Sequence, residues 1–415
     1  MRTIAALLAI LASACAADWL SFGGDPQGTN WQRHGKALTV ANVKNLKLLW
    51  KRQLDDKSLS APVIIGPTIT HRGVRELVFV AGAGDNLYAI DADLGTLFWK
   101  RHFDVRSKST CPVYMTPTPV IEPDPDEDFS DPSADDEDDD EAAPMRPLYA
   151  VASDGSLHTI RVSDGTDITS PRDFLPPNAG YSNLNFWSGT IYATVWGSCN
   201  KAAAGLWSLD VKKPNASPKL DSAKREGGIV IGPTGAVHTD AVGDFVYKGR
   251  ELLVTEALDG RLLVLDAVNL RVVAEYRQPN TRYNGTATWQ DSNGVRWIYS
   301  ATERNLQAFR LTGPSSKPNL EASWTYDSMQ RSGPPAITNG VLFLLTGLMN
   351  AGPGYTTLIG LDAATGKELY NSYSPFSLRA DPIFTYNPAL AIANGHVCFG
   401  TYDNTLRCYG IPMER

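Results

Sequence analysis

The chain has 415 residues, 43% of them hydrophobic and 20% charged, with a formal net charge of −7. This composition excludes a disordered chain, and the length exceeds what one ordinary compact core accommodates unless the core is built from repeated units. The charge is local: residues 122–145 carry thirteen acidic side chains and no Lys or Arg, so that without them −7 becomes +6, and no nucleic-acid partner is expected.

The N-terminus reads as an export signal over residues 1–17. Arg2 is followed by an apolar run at residues 4–11 and by small residues that fit cleavage at Ala12-Ser13-Ala14 or Ala14-Cys15-Ala16. The run is too short to span a bilayer. Cys15 raises lipid attachment, but Ala12 stands where a large aliphatic residue is expected. The expectation is a periplasmic or secreted protein with no transmembrane segment, with a lipid anchor at Cys15 as the alternative.

Residues 18–45 are turn-rich, with Gly23-Gly24 and Gly28. Residues 46–54 read as a strand containing Trp50. The stretch 87–99 then gives a strand, a turn at Gly95 and a second strand ending in Trp99. The same order recurs at residues 358–370, with Asp362 and Gly366 in the places of Asp91 and Gly95. Weaker copies centre on residues 157–161, 206–210, 262–266, 306–310 and 406–410, the fourth repeat starting near Thr234. In these turns the aspartate accepts nearby backbone N–H groups and the glycine takes positive φ. Trp99 is expected between adjacent units. Asp91, Gly95, Trp99, Asp362 and Gly366 are therefore assigned to the repeat motif, not to chemistry.

The last repeat stops before its outer strand, and residues 46–54 supply a spare one. Joining them closes a ring and removes two exposed sheet edges. The prediction is an all-β fold, a single domain over residues 18–415. It is a seven-bladed β-propeller of four-stranded blades, with eight blades as the alternative because residues 211–231 are poorly assigned.

Four cysteines follow the export signal. Cys398 and Cys408 flank the turn at Asp403-Asn404 with the same strand parity, which favours a disulfide across a hairpin; Cys111–Cys199 follows by elimination, and free buried thiols are the alternative. Residues 122–145 hold almost no aliphatic side chains and are expected to be a disordered loop. The histidines lack metal spacing, and His158 and His396 fall on strands, where a structural role is expected. Arg379, Asp381, Arg331 and Glu303 lie beside strand ends and are candidates for lining the axial funnel.

Residues 19–25 with Gly28-Thr29, and the run Asn42-Val43-Lys44-Asn45-Leu46-Lys47-Leu48-Leu49-Trp50, resemble the opening segment of pyrroloquinoline-quinone (PQQ)-dependent alcohol and sugar dehydrogenases. Residues 89–99 look like the tryptophan-docking motif of the same quinoprotein-like superfamily. That resemblance implies the propeller fold over nearly the whole mature chain. Its enzymes use a disulfide between adjacent cysteines, a calcium held by carboxylate and amide groups, and an aspartate base. This chain has no adjacent cysteine pair, and no ligand set carries over residue by residue. The resemblance therefore carries over the fold only, and the missing parts lead to the expectation of a non-catalytic binding or scaffold propeller, monomeric and with no cofactor. Its ligand would be a protein or polymer at the funnel mouth or a blade edge. The alternative is a divergent oxidoreductase using PQQ with calcium.

Overall fold

In this computed structural model the described residues are 17–415 except 57, 106–116, 125–145, 178, 199–201, 225–226, 240, 278–282, 303, 328–331, 347–353, 373–375, 379–388, 402 and 413–415. Cys111, Cys199, Glu303, Arg331, Arg379, Asp381, residues 1–16 of the expected export signal and most of the acidic stretch lie outside them.

The regular structure among the described residues is almost wholly β, with one short helical turn at Val43–Asn45. Seven antiparallel four-stranded blades follow one another around an axis, making a seven-bladed β-propeller. Blade 1 runs through Val63–Thr70, Gly73–Gly82, Asn86–Asp91 and Leu97–His102. The middle strands are apolar on both faces because each blade is covered by a neighbour on either side. In blade 1 residues 77–82 and 87–91 are buried without a break, whereas the outer strand alternates between buried and exposed. Blades 2 and 3 have inner strands Val120–Ile121 and Asn185–Trp187. Blades 4, 5 and 6 begin at Gly243–Tyr247, Tyr283–Gln290 and Ala336–Thr338. Blade 7 is composite. Ala391–Ala393, His396–Gly400 and Thr405–Gly410 come from the C-terminus, and Lys47–Gln53 adds the outer strand by pairing with Thr405–Gly410. This is the ring closure expected from the spare strand.

One element departs from the sequence reading. The fourth repeat does not start at Thr234. A two-stranded hairpin, Ile229–Ile231 with Val237–Thr239, stands alone between blades 3 and 4, and blade 4 starts at Gly243. The hairpin takes an eighth place in the ring of inner strands without the two outer strands of a blade. Repeat arithmetic missed it because it has no docking turn.

Residues 17–33 occupy the centre of the ring. They pass the inner strand of each blade in turn, held by backbone bonds. The Trp19 N–H donates to the Ile64 carbonyl at 2.9 Å, Ile121 N–H to Leu20 O at 2.9 Å, and Ile231 N–H to Pro26 O at 2.8 Å. Asp244, Thr288 and Ile337 N–H then donate to the carbonyls of Gln27, Thr29 and Asn30 at 2.9, 2.9 and 2.8 Å. Asn185 Nδ2 donates to Pro26 O at 2.9 Å, and Gln32 Nε2 reaches the Ile392 carbonyl at 3.3 Å. The segment also crosses the axis, with Asn30 N–H bonded to Gly23 O at 2.9 Å. Gly23 (φ +88°) leaves only 3.0 Å between a would-be Cβ and Gly28 Cα, so no side chain fits there. The glycines that made this stretch read as turns are what let it fill a narrow space.

Candidate functional site

Two features of the ring bear on function: how its seams are held, and where charge is buried. At three seams a tryptophan on one outer strand lands on the turn of the next blade. Trp50 of blade 7 donates to Ala92 O at 2.6 Å and lies over Gly95. Trp99 of blade 1 donates to Val162 O at 2.9 Å over Gly165, and Trp324 of blade 5 to Ala363 O at 3.1 Å over Gly366. The turns that receive Trp50 and Trp324 share one construction. Asp91 Oδ1 accepts from Asp93 and Leu94 N–H, and Asp362 Oδ1 from Ala364 and Thr365 N–H. Gly95 (φ +65°) and Gly366 (φ +73°) then return the chain. Cys398 and Cys408 face each other in register across the blade 7 hairpin and are disulfide-bonded, with Cα atoms 4.1 Å apart.

The sector around the hairpin is built differently. Its apolar cluster comprises four buried residues, Val230, Ala241, Leu253 and Ala267, against ten or more in each of the other clusters. In place of apolar surface it buries charge. His238 sits on the second hairpin strand, Asp244 on the inner strand of blade 4, and Glu251 on the strand paired with it. One ligand atom from each lies within 4.8 Å of the others. Asp244 is fully buried and His238 is 9% exposed. Both Asp244 carboxylate oxygens, Glu251 Oε1 and His238 Nε2 are buried without a hydrogen-bond partner. The other Glu251 oxygen accepts from Thr234 Oγ1 at 3.2 Å. Gly232 makes room for the pair: a Cβ there would fall 2.0 Å from Glu251 Oε1 and 2.8 Å from Asp244 Oδ2.

The electrostatics follow from this arrangement. Burial, with the Glu251 and Asp25 carboxylates nearby, raises Asp244 to about 8. Burial lowers His238 below its ordinary value, and the Lys224 ammonium lowers it further. Lys224 itself donates to the Val237 carbonyl at 3.0 Å. Asp25, in the axial segment, accepts from Thr29 N–H at 3.0 Å and pairs with Arg33 at 3.5 Å, yet burial still pushes it up. Sequence reasoning missed this group. His238 and Asp244 are separated by a loop and belong to different sheets, so no short motif links them. The only signal was a histidine in a stretch with no place in the repeat.

His158 and His396 lie within the ring. His158 stacks on Phe103 and pairs with Asp167 at 3.1 Å. His396 stands between Glu76 at 3.3 Å and Asp93 at 3.4 Å, joining blade 7 to blade 1. A cavity of about 20 Å³ lies among Gly82, Asp85, Phe103, Ser153 and Tyr181, between blades 1, 2 and 3. It has room for about one water molecule. No helix among the described residues is long and apolar enough to cross a membrane.

At the level of sequence, no protein-family model and no curated protein matches the chain. Among solved structures it is similar to the quinohemoprotein alcohol dehydrogenase of Comamonas testosteroni, at 12% identity and a TM-score of 0.60, over 97% of this chain and 82% of that one. It is similar to a europium-containing methanol dehydrogenase at 11% identity and a TM-score of 0.60, over 95% and 98% of the two chains. The quinohemoprotein alcohol dehydrogenase ADHIIG of Pseudomonas putida HK5 matches at 11% identity and a TM-score of 0.51, over 96% and 82%. The chain thus has the quinoprotein-like propeller fold.

Proposed function

We propose that the protein is a non-catalytic propeller, an exported binding or scaffold module whose partner is a protein or polymer. The observation that carries this reading is the filled axis. Residues 17–33 bond to the inner strands around the ring and cross its centre, so the middle of the ring is taken by the chain itself. Partners are then left the loop faces and the blade edges. Blade 4 offers such a surface: Val268, Leu270 and Val272 are exposed along the turn that follows Asp266 and the start of the outer strand, and apolar side chains gathered there suit a protein partner. The Cys398–Cys408 disulfide is compatible with an oxidising, periplasmic or extracellular setting. On this reading the protein works as a monomer and needs no cofactor.

The second reading, a divergent oxidoreductase using PQQ with calcium, draws on the fold likeness to quinohemoprotein dehydrogenases over nearly the whole chain. One experiment separates the two. The purified protein is titrated with PQQ and calcium and assayed for dye-linked oxidation of alcohols and sugars. The scaffold reading expects no quinone absorbance on the protein at micromolar PQQ and no dye reduction; saturable quinone binding with turnover overturns it. A photo-crosslinking side chain at Val268 is expected to capture one discrete partner in cells, while the same group at Ala322, exposed on the outer strand of blade 5, captures none.

A further inference from the structure

We propose that His238, Asp244 and Glu251 form a binding site for one divalent cation of the zinc type, which fastens the 229–239 hairpin to blade 4. The site is built from three strands of two sheets, so a cation there would tie them together beside the Thr234–Glu251 hydrogen bond. Four buried polar atoms of these residues are without a partner. Native interiors rarely leave such atoms unsatisfied, since each has given up its hydration with no bond in return.

A shared proton between the carboxylates does not settle this. It would satisfy one Asp244 oxygen and Glu251 Oε1, and leave the second Asp244 oxygen and His238 Nε2 as they are. A cation satisfies oxygen and nitrogen donors together. The spacing suits it: ligand atoms within 4.8 Å of one another need to close by about 1 Å to reach the roughly 2.0–2.2 Å metal–ligand distances of zinc. Gly232 leaves open the space on the carboxylate side that any other residue would fill.

The donor set selects the metal. Calcium takes six to eight oxygens and does not favour imidazole. One imidazole nitrogen with two carboxylates suits a borderline ion with few ligands. Poor apolar packing in this sector gives the ion a structural purpose, because the hairpin has too little apolar surface to hold itself in the ring.

The test uses the full chain, stripped with chelator and dialysed against micromolar zinc chloride at pH 7.5. Wild type is expected to retain one zinc by native mass spectrometry. His238→Gln and Glu251→Gln should each lose it, with affinity falling by more than the about 10–100-fold that loss of a supporting residue causes. Cobalt(II) added to the stripped wild type should give the visible absorption of a low-coordinate site, which zinc displaces; this readout needs no variant to fold. The proposal is overturned if wild type retains no zinc, if both variants retain it as tightly as wild type, or if calcium displaces cobalt as well as zinc does.

Discussion

The seam between blades 7 and 1 and the sector between blades 3 and 4 do the same job by opposite means. The first is held by Trp50 over Gly95 and by an apolar cluster that runs through both blades. The second contains a short hairpin, four buried apolar residues and a buried histidine with two carboxylates. Trp187, on the inner strand of blade 3, reaches Gly235 of the hairpin but is only partly buried. The difference teaches that the docking motif is a local device used where two full blades meet. Where the hairpin takes the place of a full blade, polar groups stand where the other seams have apolar clusters. Departures from the repeat are therefore where chemistry is to be sought.

The largest expected effect comes from breaking the first seam. Trp50→Ala removes a buried indole from the strand that closes the ring, and should cost about 3–5 kcal/mol in a chemical denaturation curve. Trp187→Ala should cost less than half as much; equal costs would end the contrast between the two regions. Gly95→Ala follows. Its Cβ would stand 2.5 Å from the Trp50 ring at a φ of +65°, so overpacking adds to backbone strain, and a loss of about 2–4 kcal/mol is expected.

A pH profile sharpens the same comparison. Burial alone would lower His396, but Asp93 and Glu76 outweigh it and raise the group from 6.5 to about 9. A histidine raised by folding stabilises fully below its unfolded value and loses that contribution as pH rises through its folded value. The 7–1 seam should therefore weaken between about pH 6.5 and 9 by on the order of 1–3 kcal/mol. His396→Gln should remove that slope and leave the hairpin sector unaffected, as read by hydrogen exchange at residues on each side. An unchanged slope in the variant would assign the pH dependence to other groups.

How much of this was legible in the sequence divides along the same line. Repetition exposes the ring and its closure, since each copy of the Asp-turn-Gly-Trp pattern reinforces the others, and the surplus strand at Trp50 has only one place to go. The axial segment was legible only as a set of turns. Its burial depends on strands far away in sequence, and Gly23, Gly24 and Gly28 look alike whether exposed or packed. The site at His238, Asp244 and Glu251 was not legible. Strand alternation says which face Glu251 uses, but not that a hairpin from outside the repeat brings His238 against it.

The smallest effect tests how far the motif extends. In blade 4 the turn after Asp266 is the same as in blades 1 and 6. Asp266 Oδ1 accepts from Val268 and Asn269 N–H, and Leu270 N–H returns to the Asp266 carbonyl. Leu270 holds the glycine position at φ +57° and is 56% exposed. Gly95 must be glycine because Trp50 lies on it and its φ is positive. Leu270 meets only the second condition, which costs a branched side chain about 1–2 kcal/mol. Leu270→Gly relieves that strain but gives up about 0.5–1 kcal/mol in unfolded-chain entropy. A net gain of about 0.5–1 kcal/mol is expected by denaturation. Leu270→Asn, which also tolerates this conformation, should gain a little. Strain kept at an exposed apolar side chain is the pattern of a position held for contact and not for folding. If blade 4 is the docking surface, the same substitution should weaken capture from a crosslinker at Val268 while the protein becomes more stable. A variant that is more stable and captures its partner undiminished would remove Leu270 from that surface.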